Sequence, residues 1–293
     1  MVNMYIYLNG KIIPQEEAFI SVFDHGFMYG LGLFETFRVY DGHPFLLDDH
    51  LERLNDSLKA MNIGKYFTRE EVIQIIQPLL EINCLKDAYF RWNVSAGNGM
   101  IGLQTDTYTE PNIIVYLKPL INLENRLEKV GQVVTIPRNT PEGPSRLKSH
   151  HYLNNVLAKR EVGENVLVEG LFLTKEGYVA EGITSNIFWI NKKSLFTSSL
   201  ESGILNGITR EFILILAKRM GLTIQEGLYP LEELKKADEV FMTNSIQEIM
   251  AIKRIDETPF KGLNGYYVNK LLTEYKKWTN QLWSRSELGG IKE

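Results

Sequence analysis

The chain has 293 residues, 44% hydrophobic and 23% charged, with a formal net charge of −4 and a single cysteine, Cys84. That is ample material for a core, makes two domains the expectation, excludes an intramolecular disulfide, and leaves no basic block for nucleic-acid binding. No apolar run reaches the length of a membrane span and MVNMYIYLNG lacks a secretory pattern, so a cytoplasmic protein is expected.

In chain order, residues 5–8 and 11–13 alternate like strands around Asn9-Gly10, a strong hairpin turn. Residues 33–40 and 44–47 flank Asp41-Gly42-His43 as a second hairpin. Leu51, Leu54, Leu58 and Met61 recur at helical spacing, which predicts an amphipathic helix over 48–62. Thr68-Arg69-Glu70-Glu71 is a capping box opening a second helix with Val72, Ile75, Ile76 and Leu79 inward. Strands follow at 88–95 and 112–117. The polar stretch 119–130 reads as a linker between a first domain, 1–118, and a second, 131–293. The second opens with a strand at 132–137. A helix then passes through Val156, Leu157 and Arg160, and hairpin strands follow at 171–174 with 178–180 and at 187–190 with 195–197. A helix over 209–220 stops at Gly221, and Pro230 takes the first position of another. A short strand at 240–243 and a last amphipathic helix over 268–283 complete the chain. Strands and helices come in runs rather than in βαβ alternation, so the class is α+β.

Several stretches bear on chemistry. His150 and His151 are neighbours, about 100° apart on a helix, and no HxxxH, HxH or CxxC pair accompanies them, so no metal site is expected. Gly26, Gly30 and Gly32 raise a dinucleotide loop, but a strand follows them instead of a helix; a tight turn with close backbone packing is preferred. Lys148, in RLKSHHYLNN, shares the chain with Glu181 at the end of an apolar strand. It also shares it with GILNGITRE, a turn running into a helix whose first backbone N–H groups suit a phosphate, and with Arg53, suited to bidentate phosphate contact. Taken singly, each reads as well as an ordinary surface group. Together they match what pyridoxal 5'-phosphate (PLP) requires: an amine, a partner for the ring nitrogen and a phosphate cup.

The ordered set DHGFMYGLGLFETFRV, HLERL, LKSHHYLNN, AEGITSNIFW, GILNGITRE and EVFMTNS resembles the class IV fold of PLP-dependent enzymes over essentially the whole chain. This family holds branched-chain aminotransferases, D-amino acid aminotransferases and 4-amino-4-deoxychorismate lyases. The resemblance implies two α/β domains with the cofactor at their interface, in a homodimer that acts on a small molecule. It implies that Lys148 bonds the cofactor covalently, that Glu181 pairs with its ring nitrogen, and that Tyr152 supports its phenolic oxygen. Arg53, Ile208, Thr209 and Ser245 would hold the phosphate, Ser185 and Asn186 would line the pocket, and Tyr29, Phe34, Arg91 and Asn244 would face the substrate. RNTPEG, LKSHHYLNN, AKRE and the Asn244-Ser245 pair are most similar to the bacillary type of the lyase, an enzyme of folate biosynthesis. D-Amino acid aminotransferases carry an Arg-x-His pair after the strand holding Arg91; here that region reads Ser95-Ala96-Gly97-Asn98. Tyr89-x-Arg91 is an arrangement that branched-chain aminotransferases share, so amino transfer from branched-chain or D-amino acids to 2-oxoglutarate is the alternative.

Overall fold

A computed structural model of the chain describes residues 4–120 and 128–289. These form two compact units, one within 1–121, 147–151 and 279–293, the other within 122–146 and 152–278.

In the first unit, β1 (Tyr5–Leu8) and β2 (Lys11–Pro14) pair through the Asn9-Gly10 turn, both turn residues having positive φ as a two-residue hairpin requires. Asp24 caps a short helix, α1 (His25–Tyr29), accepting from the Phe27 amide. Then come β3 (Gly32–Tyr40) and the two-residue β4 (His43–Pro44), with Asp41-Gly42 alone as the turn. Next are α2 (Leu47–Ala60), α3 (Arg69–Ile82), β5 (Ala88–Ser95) and β6 (Asn112–Pro119). The sheet is antiparallel, in the order β2-β1-β6-β5-β3-β4. The capping box of α3 is complete. Leu51, Leu54 and Leu58 of α2, and Val72, Ile76 and Leu79 of α3, bury against Phe37, Phe90 and Trp92 of the sheet. Each such side chain contributes roughly 1.5–3 kcal/mol on burial.

The second unit contains β7 (Lys129–Val133), α4 (Leu153–Val162), β8 (Val168–Leu173), β9 (Val179–Gly182), β10 (Asn186–Asn191) and β11 (Ser194–Ser198). These are followed by α5 (Ile208–Arg219), β12 (Thr223–Gly227), α6 (Leu231–Lys235), β13 (Glu239–Asn244), β14 (Glu248–Ile255), β15 (Thr258–Pro259) and α7 (Tyr266–Lys276). The sheet runs β12-β11-β10-β13-β14-β7-β8-β9, with β15 on β14. It is mixed: β7 and β8 are parallel across α4, and β11 and β12 are parallel across α5. The α+β class stands, but the second unit does use two parallel crossovers that the runs of elements had hidden.

Some boundaries differ from expectation. The strand expected at 132–137 begins at Lys129 and ends at Val133, although the Val134 and Arg138 amides still donate to Leu171 and Leu173. Pro230 is the cap of α6, not its first residue. The last helix ends at Lys276, not Trp283. Beyond it the Leu282 carbonyl accepts from the Leu46 amide and from His43, Trp283 stands edge-on to His43, and Arg285 pairs with Asp49. This tail satisfies groups at the start of α2, which places it in the first unit rather than in a domain spanning 131–293. Residues 121–127 of the expected linker lie outside the described residues; Pro119 closes β6 and Lys129 opens β7. β12, β14 and α1 had no clear signal in the sequence. Among the described residues, no helix is long and apolar enough to cross a membrane.

Candidate active site

The residues singled out in the sequence fall into two groups, one in each unit. In the first unit, Lys148 belongs to the short stretch 147–151. Ser149 bridges Leu33 in antiparallel register, the Phe34 amide donates to the Lys148 carbonyl (3.0 Å), and the His150 amide donates to the Gly32 carbonyl (2.9 Å). Lys148 is thus fixed by backbone pairing to β3, although more than a hundred residues separate the two in sequence. Gly32 is required by this pairing, because a Cβ there would collide with the His150 imidazole. At Gly30, which has φ +70°, a Cβ would come within 2.8 Å of His151. The glycines of GLGLFET therefore serve close packing, as the sequence suggested, and the two histidines are what they accommodate.

Phe34 is 2% exposed and organises the charges here. Its ring lies 3.7 Å from the Arg91 guanidinium carbon and 4.6 Å from Lys148 Nζ, and His150 stacks against it at 6.4 Å and 27°. Arg91 Nε also donates to Asn93 Oδ1 (3.2 Å). The Tyr29 hydroxyl accepts from the Gly102 amide (2.8 Å). Arg53, on α2, is held side-on by Glu35 of β3: Nε donates to Oε1 and Nη2 to Oε2, both at 2.7 Å. His50 Nδ1 meets the same carboxylate at 2.7 Å. Burial alone would raise the Glu35 carboxyl, but Arg53 and His50 outweigh it and hold it at about 2.

In the second unit, Glu181 on β9 is buried and fully engaged. Oε1 accepts from Arg138 Nε (2.8 Å), and Oε2 from the Leu205 amide (3.1 Å) and Asn186 Nδ2 (3.4 Å). Arg138 Nη1 in turn donates to Asn154 (2.8 Å) and Asn139 (3.0 Å). Arg146 Nε, 3.9 Å from Glu181 Oε1, donates to the Gly203 carbonyl, and its Nη2 donates to the Asn139 carbonyl. Burial, and then Arg138, pull Arg146 down to about 10. Glu181 is thus met by two guanidinium groups and two amide donors.

α5 starts at Ile208 with Gly207 as a cap that offers no side chain. The first-turn N–H groups of Ile208, Thr209 and Arg210 have no partner within the helix. Thr209 Oγ1 and Ser245 Oγ, 3.3 Å apart, flank this helix start. Donors so arranged suit a dianionic phosphate. Asn244 shapes the adjoining turn. Its Oδ1 accepts from the Ile246 and Gln247 amides (2.9 and 2.7 Å), fixing the turn that carries Ser245. Ser185 stands apart from Glu181; its hydroxyl donates to Glu169 (3.0 Å). Tyr152 caps α4 and is 36% exposed.

The structure thus groups Lys148, Phe34 and Arg91, groups Glu181 with Asn186, and groups Ile208, Thr209 and Ser245. It adds Glu35, His50, Arg138 and Arg146, which sequence reasoning did not name. Glu35 was visible as a lone acid inside the apolar run LFETFRV. Arg138 stood within RNTPEG, but nothing local linked it to Glu181. Among the described residues, no group of three or more His, Cys, Asp or Glu side chains is placed to hold a metal ion.

Residues 32–255 match the profile of the family described as amino-transferase class IV. Over 274 residues, covering 93% of this chain and 94% of the other, the protein is 47% identical to aminodeoxychorismate lyase of Bacillus subtilis. The crystal structure of Escherichia coli branched-chain amino acid aminotransferase superposes with a TM-score of 0.85, at 29% identity over 95% of each chain. The branched-chain aminotransferase of the archaeon Thermoproteus uzoniensis, solved with norvaline, gives 0.84, at 30% identity over 94% of each chain.

Proposed function

The chain belongs to the amino-transferase class IV family, and we propose that within it the protein is a PLP-dependent aminodeoxychorismate lyase, converting 4-amino-4-deoxychorismate to 4-aminobenzoate and pyruvate. The observation that carries this reading is the 47% identity to the lyase over 93% of the chain, against 29% and 30% to the two aminotransferases. The residues present fit the cofactor. An amine is fixed on β3, a buried carboxylate is anchored by Arg138, and N–H and hydroxyl donors surround the start of α5. Lys148 would bind it covalently, Glu181 would meet its ring nitrogen, and Tyr152 and Asn186 would line its ring. Ile208, Thr209, Ser245 and Arg53 would hold its phosphate. When bound, the group supplies an electron sink for charge developing at the carbon that bears the substrate amine.

The roles of the chain's own residues follow. Lys148 Nζ would take the proton from C4 of the substrate ring. Glu181, held in place by Arg138 and flanked by Arg146, would hold a proton at the cofactor's ring nitrogen. Arg91, seated on Phe34, offers positive charge to a substrate carboxylate. Pyruvate departs from the adjacent carbon, and aromatisation of the remaining ring makes the step strongly downhill. Asn244 serves by shaping the Ser245 turn, and Tyr29 and Phe34 by bounding the substrate side.

A homodimer and a cytoplasmic setting belong to the same proposal. Phe19, Val22 and Phe27 are exposed, as are Met100, Ile101 and Leu103. The two stretches are joined by the Gly99 amide bond to Phe23 and by His25 Nε2 at the Met100 carbonyl. One apolar patch of this kind suits a second copy of the chain.

The deciding experiment is a pair of assays on the purified holoenzyme. Release of pyruvate and 4-aminobenzoate from 4-amino-4-deoxychorismate is expected. Amino transfer from D-alanine or L-leucine to 2-oxoglutarate without that release would reverse the choice. Lys148→Ala is expected to remove the visible absorbance of the bound cofactor together with turnover; an unchanged spectrum would take Lys148 out of its role.

A further inference from the structure

His150 has no part in the chemistry set out above, yet its surroundings single it out. Residues 148–150 run extended against β3, so Lys148 and His150 project to one side of the segment and Ser149 to the other. Both side chains reach the Phe34 ring. The place of the imidazole is set on two sides, by that ring and by Gly32, whose missing Cβ admits it. Burial, then the charge of Arg91, lowers His150 to about 4, so the ring is neutral at neutral pH. A neutral imidazole carries one N–H and one lone pair. Nε2 is buried and has no hydrogen-bond partner. With the hydrogen on Nδ1, Nε2 presents a lone pair.

Buried nitrogens without a partner are rare in folded proteins, because the lost hydration is not replaced. One held rigidly on the same face as the reactive lysine points to a ligand that brings a donor.

We propose that His150 is a substrate-contacting residue whose Nε2 accepts a hydrogen bond from the amine of the ligand arriving at Lys148. The ligand class is a six-membered ring acid bearing a primary amine. Its ionised carboxylates only accept, so the amine is the group that has an N–H to offer. This rests on the lyase reading, in which that amine must come to Lys148. His150 then reads the amine directly, while a charged imidazole in its place would repel an ammonium and accept nothing.

The test uses the holoenzyme labelled with ¹⁵N-histidine, with 4-aminobenzoate as probe. The chain has five histidines, so each ring can be assigned by single substitution. In the free holoenzyme His150 is expected to show a lone-pair-type Nε2. Saturation with 4-aminobenzoate is expected to move that resonance toward the hydrogen-bonded range. His150→Leu should weaken 4-aminobenzoate binding about tenfold, the size of one hydrogen bond. His150→Gln, which restores an acceptor oxygen, should recover most of the loss, and His151→Leu should bind as the parent does. An Nε2 signal unmoved by the bound probe overturns the proposal without needing any variant to fold. Parental affinity in His150→Leu overturns it as well. A parent that neither binds 4-aminobenzoate nor releases pyruvate would overturn the lyase reading first, and this proposal with it.

Discussion

Glu35 keeps its charge inside the first unit because it is never alone. Two Arg53 nitrogens and His50 Nδ1 meet its oxygens at 2.7 Å, and the side chain is 2% exposed. Removing one charge from such a set strands the other. Glu35→Gln is therefore expected to lower stability by about 3–5 kcal/mol in urea unfolding at pH 7. A loss under about 1 kcal/mol would mean the pair is not closed in solution. His150 makes a pH-dependent contribution of known sign. Its folded value, about 4, lies below the ordinary 6.5, with burial as the main cause and Arg91 next. Between those values the unfolded chain binds the extra proton, so stability is full above about 6.5 and falls as the pH drops toward 4. His150→Gln should flatten the decline between about pH 6.5 and 4.5 by on the order of 2 kcal/mol. Parallel urea titrations at those two pH values would show it, and identical slopes would refute it.

At the scale of elements, the seat of Lys148 is an antiparallel pairing closed by a glycine. Gly32→Ala places a methyl group in the His150 ring and close to the Val94 carbonyl, so the ring must leave its place beside β3. A loss of about 1–3 kcal/mol is expected, together with altered cofactor absorbance. The double variant Gly32→Ala/His150→Ala should recover part of the stability, since the Val94 carbonyl remains 2.9 Å from the new Cβ; a simple sum of the two losses would argue against the collision with His150. The start of α5 is the other functional element. Its first-turn N–H groups are supplemented by the Thr209 and Ser245 hydroxyls. Ser245→Ala should weaken PLP retention about tenfold, read by equilibrium dialysis. The glycine before this helix start is a local signal that can be read in the sequence, whereas the turn whose amides donate to Asn244 Oδ1 shows only in the structure.

At the scale of the whole molecule, Phe19, Phe27 and Met100 are large hydrophobic side chains left exposed, a surface that suits the proposed second copy. For the proposed homodimer, Phe27→Asp is expected to shift the sedimentation coefficient from dimer to monomer, and an unchanged value would count against a dimer through this face. The periodic helices, the Asn9-Gly10 hairpin, the capping box at Thr68 and the α+β class were legible in the chain, because each depends on residues within a few positions of one another. Lys148, Glu181 and the 203–211 turn, the residues proposed for the cofactor, could be singled out there by residue type. What only the tertiary structure decided was partnership. Arg138 with Glu181, Glu35 with Arg53, and His150 with Gly32 are joined across 43, 18 and over a hundred positions. It also decided that residues 147–151 and the tail beyond Thr279 belong with the first unit. Local sequence specifies which elements form, through periodicity and capping. The enclosure of a charge or an imidazole, and the partner that makes it tolerable, depend on chain segments that meet only after folding.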